Sequence, residues 1–201
     1  MNIILNNLSV GYGAHPQIKA INAQIKQGEF IGLVGVNGSG KTCLLKTLAG
    51  LLTPLTGDIR VDGTPLPTIP VRARAKHISY LAQERRAVWS GTVKDFVALG
   101  RTPYRGPLGR LSPDDHTAIS EALHMAGCED LKDRHFHHLS GGEQARVYLA
   151  RTLAVGAPFI LADEPIAALD PAHQIATLSQ LQMQAQAGTT IIASLHDLGL
   201  A

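Results

Sequence analysis

The apolar pattern changes period several times along the chain. "IILNNLSVGYG" alternates and then stops at Gly-Tyr-Gly, which predicts a first strand and a turn. "INAQIKQGEFIGLVG" predicts two further strands separated by Gly28. In "KTCLLKTLAGLL" the spacing becomes helical, with Leu44, Leu45, Leu48, Leu51 and Leu52 on one face and Pro54 and Gly57 as the stop. "GDIRVDG" reads as a short strand and turn, and "HISYLAQ" as a strand leaving the core. From about Thr92 to Gly127 the pattern is helical. "TVKDFVALGR" and "DDHTAISEALHMAG" are joined by a Pro/Gly-rich loop, with Asp114 or Asp115 as the cap and Gly127 as the stop of the second helix. Alternation of strand and helix then resumes. A helix runs from Gly141, a strand lies at "PFILADEP", a helix starts near Pro171, and a last strand lies at "TTIIASLHD". Strands alternating with helices predict a parallel sheet covered on both faces.

The bulk numbers narrow this little. With 201 residues the chain is long enough for one core domain with a small insertion. Aromatic residues are only 4%, so Ala, Leu, Ile and Val must build the core. The net charge of +2 is scattered rather than striped, which gives no support to nucleic-acid binding. Cys43 and Cys128 form no C-x-x-C pair and read as two reduced thiols. The start carries no signal-peptide pattern, and no apolar run approaches the ~20 residues needed to cross a bilayer.

Two glycine-rich stretches carry the chemistry. "GVNGSGKT", Gly35 to Thr42, fits G-x-x-x-x-G-K-[ST] in full, after an apolar strand and before a helix. Gly35, Asn37, Gly38, Ser39, Gly40 and Cys43 bring backbone N–H groups to a phosphate, Lys41 adds a charge near the β- and γ-phosphates, and Thr42 offers a hydroxyl to Mg²⁺. "FILADEP" places Asp163 and Glu164 at a strand end, Asp163 for Mg²⁺ through water and Glu164, turned the other way by the pleat, for polarising a water. The second stretch, "LSGGEQ", opens a helix with Ser140 as a capping hydroxyl and with Gly141 and Gly142 exposing N–H groups. Two phosphate-facing helix ends do not both fit one nucleotide within a single copy. A head-to-tail dimer accommodates them.

These residues resemble the nucleotide-binding subunit of ATP-binding cassette (ABC) transporters over essentially the whole chain, "LSGGEQ" being similar to that family's signature motif. The resemblance implies a P-loop ATPase core at 1–90 and 141–201, with a helical subdomain at 91–140 inserted between Q-loop and signature. It implies adenine stacking by Tyr12, a Q-loop role near Mg²⁺ for Gln83, an interface-crossing role for Asp170, and γ-phosphate contact by His196. It also implies ATP hydrolysis by a homodimer using Lys41, Gln83, Glu164 and His196 with Mg²⁺ held by Thr42, Gln83 and Asp163. The subunits would work at the cytoplasmic face of a bacterial inner membrane, with permease subunits and a periplasmic substrate-binding protein.

"GTVKDFVALGRTPYRG" is similar to the iron-siderophore, haem and cobalamin importers, a type II importer reading. The alternatives are an exporter ATPase or a non-transport ABC ATPase acting on DNA or ribosomes. A metabolic kinase has no use for "LSGGEQ", and the GTPase N-K-x-D is absent. Val36 stands where many relatives have Pro, and Ile166 where Thr is usual. Cys43, at a helix start that lowers a thiol pKa, is expected to be sensitive to thiol reagents. "HFHH" offers His135, His137 and His138 but no fourth zinc ligand at suitable spacing. The chain stops at Ala201, just past His196, whereas relatives continue with further strands and a helix, so a shortened cassette with uncovered sheet surface is expected.

Overall fold

The computed structural model describes residues 1–84, 88–106, 109–167 and 169–195. Two four-stranded sheets and six helices make up the described part. The first sheet is antiparallel, in the order β2-β1-β4-β5, from β1 (Ile3–Tyr12), β2 (His15–Ile25), β4 (Thr56–Val61) and β5 (Thr64–Pro65). Asp62 and Gly63, both at positive φ, make the tight β4–β5 turn, a conformation that Asp-Gly adopts readily. The second sheet is parallel, in the order β3-β8-β7-β6, from β3 (Phe30–Val34), β8 (Thr190–Leu195), β7 (Phe159–Asp163) and β6 (Ile78–Leu81). β3 is an edge strand, with Phe30 and Val34 partly exposed.

The pleat of β7 explains the layering. Phe159 and Leu161 point into one apolar cluster with α1 (Lys41–Leu48) and the antiparallel sheet. Ile160 and Ala162 point into the other, with α3 (Val93–Ala98), α4 (Pro113–Met125), α5 (Gly141–Leu153) and α6 (Pro171–Gln186). All five residues of β7 are buried, as expected of a strand covered on both faces. The register pairs Val34 with Leu195, Asp163 with Ser194, and Leu81 with Ala162. The carboxyl ends of all four strands therefore meet along one edge, where open parallel sheets place their ligands.

Three local readings change. α1 ends at Leu48 because Gly50, at φ 68°, turns the chain, with the Leu51 N–H bonded to the Lys46 carbonyl and the Gly50 N–H to the Thr47 carbonyl. Leu51 is thereby left exposed rather than on the helix's apolar face. α4 is capped by Ser112, not by Asp114 or Asp115; Asp115 is the third helical residue and returns the bond to the Ser112 N–H. α2 (Val71–His77) has no counterpart in the sequence reading, because it buries no residue and so shows no apolar period. Arg74 and Arg72 tether it instead, to the Gly50 carbonyl and to the Pro103 carbonyl.

The run "ALGRTP" fixes the helical block against α5. Gly100 lies so close to α5 that a Cβ would meet the Arg151 carbonyl oxygen at 2.4 Å. Arg101 is 9% exposed, pairs with Asp115 at 2.7 Å, and donates to the Ala154 and Val155 carbonyls beyond the end of α5. It thus joins α4 to the C-terminus of α5 and satisfies carbonyls that the helix leaves open. The Ser112 backbone N–H, with Arg101, holds the Asp115 carboxyl down to about 2.

Arg101→Met is expected to lower unfolding stability at neutral pH by about 3–5 kcal/mol, since it leaves the Asp115 carboxylate buried without its cation. The Asp115 pKa is lower in the folded than in the unfolded chain, so its contribution is present above about pH 4 and lost as the pH falls toward 2. Urea unfolding across this range should show the difference between the two proteins shrinking with acidification.

Candidate functional site

The turn between β3 and α1 is a phosphate loop in conformation as well as in sequence. Gly38 and Gly40 adopt φ 79° and 94°, and the Ser39 N–H bonds back to the Val36 carbonyl. Gly40, the residue before α1, lies against β2, where a Cβ would meet Ile18 at 2.8 Å and Gln17 at 2.9 Å. Side chains are thus excluded twice over, by backbone sign and by space. Lys41 Nζ donates to the carbonyls of Gly35 and Val36, which stations its charge within the loop.

A cavity of about 190 Å³ opens on this loop. Tyr12, Asn37, Gly38, Ser39, Gly40, Lys41, Thr42, Cys43, Gln83 and Glu164 line it, which brings together most of the residues expected to hold the nucleotide. Gln17 on β2 lines it too and escaped the sequence reading, having no motif to mark it. Tyr12 stands half-exposed at the tip of the β1–β2 hairpin, where a ring is free to stack on a base. Cys43 contributes backbone only. Its side chain is 1% exposed in the core, and burial pushes the thiol pKa up, so the helix start does not activate it and the expected reagent sensitivity is not supported.

The carboxylate pair is built by three adjacent strands. Asp163, 1% exposed at the end of β7, accepts from the Ser194 hydroxyl on Oδ1 (2.8 Å) and from the Tyr80 phenol on Oδ2 (3.2 Å). Burial, and then the Asp163 charge, push the Tyr80 pKa well above the usual phenol range, so Tyr80 stays a donor. Ser194 Oγ also accepts from the Glu164 N–H at 2.8 Å. Glu164 does not continue the pleat as expected. It takes φ 50°, a left-handed conformation costly for a residue with a Cβ, and its Oε1 accepts from Gln83 Nε2 at 2.6 Å. That turn, not strand alternation, carries its carboxylate to the phosphate loop. Sequence reading missed Tyr80 and Ser194, although both lie inside the quoted strands, because a Tyr or Ser on a strand carries no signal until the register pairs it with a carboxylate.

The chemistry of these donors fits Mg²⁺ and a polyphosphate. Asp163 is a buried carboxylate oriented by two hydroxyls, with no lysine or arginine bonded to it among the described residues, and its neighbour Glu164 lines the same cavity as Thr42.

The second glycine pair sits elsewhere. Ser140 caps α5, accepting from the Glu143 N–H (3.3 Å), while Glu143 Oε2 accepts from the Ser140 N–H (2.7 Å). That bond, aided by Arg134, holds the Glu143 carboxyl below the usual range. Gly141 has open space around its would-be Cβ, and neither it nor Ser140 nor Gly142 lines the phosphate-loop cavity. Asp170 caps α6 and bonds to His173. His196 lies outside the described residues. Of the histidine run, His135 Nδ1 faces the Ser90 carbonyl at 2.8 Å, and the rings of His137 and His138 are packed on each other at 4.0 Å.

The family model described as "ABC transporter" matches residues 18–167. The achromobactin transport ATP-binding protein CbrD of Dickeya dadantii is 39% identical over 200 residues, covering 99% of this chain and 74% of that protein. The hemin import ATP-binding protein HmuV of Streptomyces coelicolor is 38% identical over 194 residues, covering 96% of this chain and 69% of its own length. Among solved structures, the dimeric post-hydrolysis state of the ATP-binding cassette MJ0796 bound to ADP and Pi superposes with a TM-score of 0.86 at 29% identity, covering 99% of this chain and 90% of that one.

Ser194→Ala removes an acceptor from the Glu164 N–H and a donor from Asp163 together. A loss of about 1–3 kcal/mol in unfolding stability is expected, with at least a tenfold fall in ATP turnover. Wild-type turnover and stability in this variant would show that the hydroxyl does not hold the pair.

Proposed function

The chain belongs to the ABC transporter family, and we propose that it is the ATP-hydrolysing subunit of a type II importer that takes up an iron-siderophore, haem or a related chelate. The relatives named for achromobactin and hemin support the cargo class. The observation that carries the mechanism is the separation of the two glycine-rich helix starts. The loop cavity holds Lys41, Gln83 and Glu164, while the Gly141 and Gly142 N–H groups and the Ser140 hydroxyl lie outside it. Each nucleotide then lies between the loop of one copy and the signature turn of a second.

In that arrangement the loop amides and Lys41 bind the β- and γ-phosphates, and Tyr12 stacks on the base. Glu164, oriented by Gln83 and anchored by Ser194, accepts the proton of the attacking water. The Ser140 hydroxyl accepts from Glu143 and keeps its own proton free to donate to a γ-phosphate oxygen. Thr42, Gln83 and Asp163 would hold Mg²⁺, which would supply positive charge against the phosphate oxygens. Asp170 faces the partner copy, and His196 completes the γ-phosphate contacts. Closure of two copies drives a pair of permease subunits at the cytoplasmic face of the membrane, fed by a periplasmic binding protein. No described helix is long and apolar enough to cross a membrane.

ATP hydrolysis per copy should rise with protein concentration and then saturate, as a composite site requires. Glu164→Gln should keep ATP binding and lose at least about a hundredfold in turnover. A rate per copy independent of concentration, or a fully active Glu164→Gln, would contradict the composite site and the base respectively.

A further inference from the structure

Asp170 and the signature turn belong to different helices, and a polar chain connects them. Asp170 Oδ1 accepts from the His173 N–H at 3.0 Å, and Oδ2 accepts from His173 Nδ1 at 2.6 Å. On the opposite side of the ring, Arg146 Nη1 donates to His173 Nε2. A guanidinium has no acceptor, so Nε2 must carry the lone pair and Nδ1 the proton. The partners thus orient the ring at both ends. Arg146 lies on the second turn of α5, six residues after the Ser140 cap.

A cavity of about 410 Å³ lies among α4, α5 and α6, with Arg146, Leu149, His173, Thr177 and Met183 in its wall. Arg146 Nε is buried without a hydrogen-bond partner, so the guanidinium's hold on α6 runs through its bond to His173. His124, the other imidazole of this wall, faces Glu129 at 3.4 Å.

We propose that Arg146 and His173 are positioning residues that lock the signature helix to Asp170, so that the two elements a second copy meets move as one. The kinetic consequence rests on the composite-site reading above; the lock itself does not.

The test has two arms, each run on wild type, His173→Ala, His173→Gln and Arg146→Gln. Glutamine at 173 can still accept from Arg146 and donate to Asp170. In the single copy, amide hydrogen exchange at residues 141–146 should speed up by roughly tenfold in His173→Ala and Arg146→Gln, and return to near wild type in His173→Gln. In hydrolysis, His173→Ala should lose about tenfold in kcat with nucleotide affinity of the single copy within about twofold, again restored by Gln. Unchanged exchange in both His173→Ala and Arg146→Gln, or a Gln variant as impaired as Ala, overturns the lock. Should wild type show no concentration-dependent hydrolysis, the composite reading fails and the exchange arm still decides the lock. Should His173→Ala fail to fold, Arg146→Gln decides it from the other end.

Discussion

One hydroxyl holds the reactive end of the sheet together. Ser194 Oγ accepts from the Glu164 N–H and donates to Asp163 Oδ1, which uses its single proton and a lone pair in two directions. Both bonds require β7 and β8 to be parallel neighbours with Asp163 opposite Ser194. That register in turn requires β7 to be buried on both faces, since a slip by one residue would exchange Phe159 and Leu161 for Ile160 and Ala162 between the two cores. The packing of two apolar clusters thus fixes, to a single residue, where the carboxylates stand. The left-handed turn at Glu164 is the local cost of aiming the second carboxylate at the loop, and Gln83 and Ser194 hold it there.

The signature helix is constrained at both ends by different chemistry. Its N-terminus carries the reciprocal Ser140–Glu143 cap, which satisfies two backbone donors yet leaves the glycine amides of Gly141 and Gly142 for a ligand. Its C-terminus is held by the buried Arg101, whose charge is matched by Asp115 on α4.

Much of this was legible in the sequence where local rules suffice. The phosphate loop is a matter of glycine conformations and one lysine at fixed spacing, and Gly38 and Gly40 adopt the positive φ that the motif implies. The strands and the starts of α5 and α6 followed from apolar runs and capping residues. The missed partners of the carboxylate are paired with it over long sequence distances. Tyr80 and Ser194 become part of the site only when three strands align, 83 and 31 residues from Asp163. α2 is held by arginines reaching to other segments, and no period betrays it. Cys43 misled because the dipole at a helix start is a local argument, whereas the thiol's burial against the core is a tertiary one. The "LGR" run, quoted as a family likeness, has a plain physical reason in the close approach at Gly100 and the cap at Arg101.

The central claim is that a nucleotide is enclosed by two copies, one giving the loop and the other the signature turn. Disulfide trapping tests it most directly, because the native Cys43 and Cys128 are both buried and do not compete. In a Ser39→Cys, Ser140→Cys chain, oxidation should yield a covalent dimer when ATP is bound and little without it, since a disulfide needs Cα atoms within about 7 Å. A crosslink formed within one copy, or dimer formation indifferent to ATP, would contradict the account.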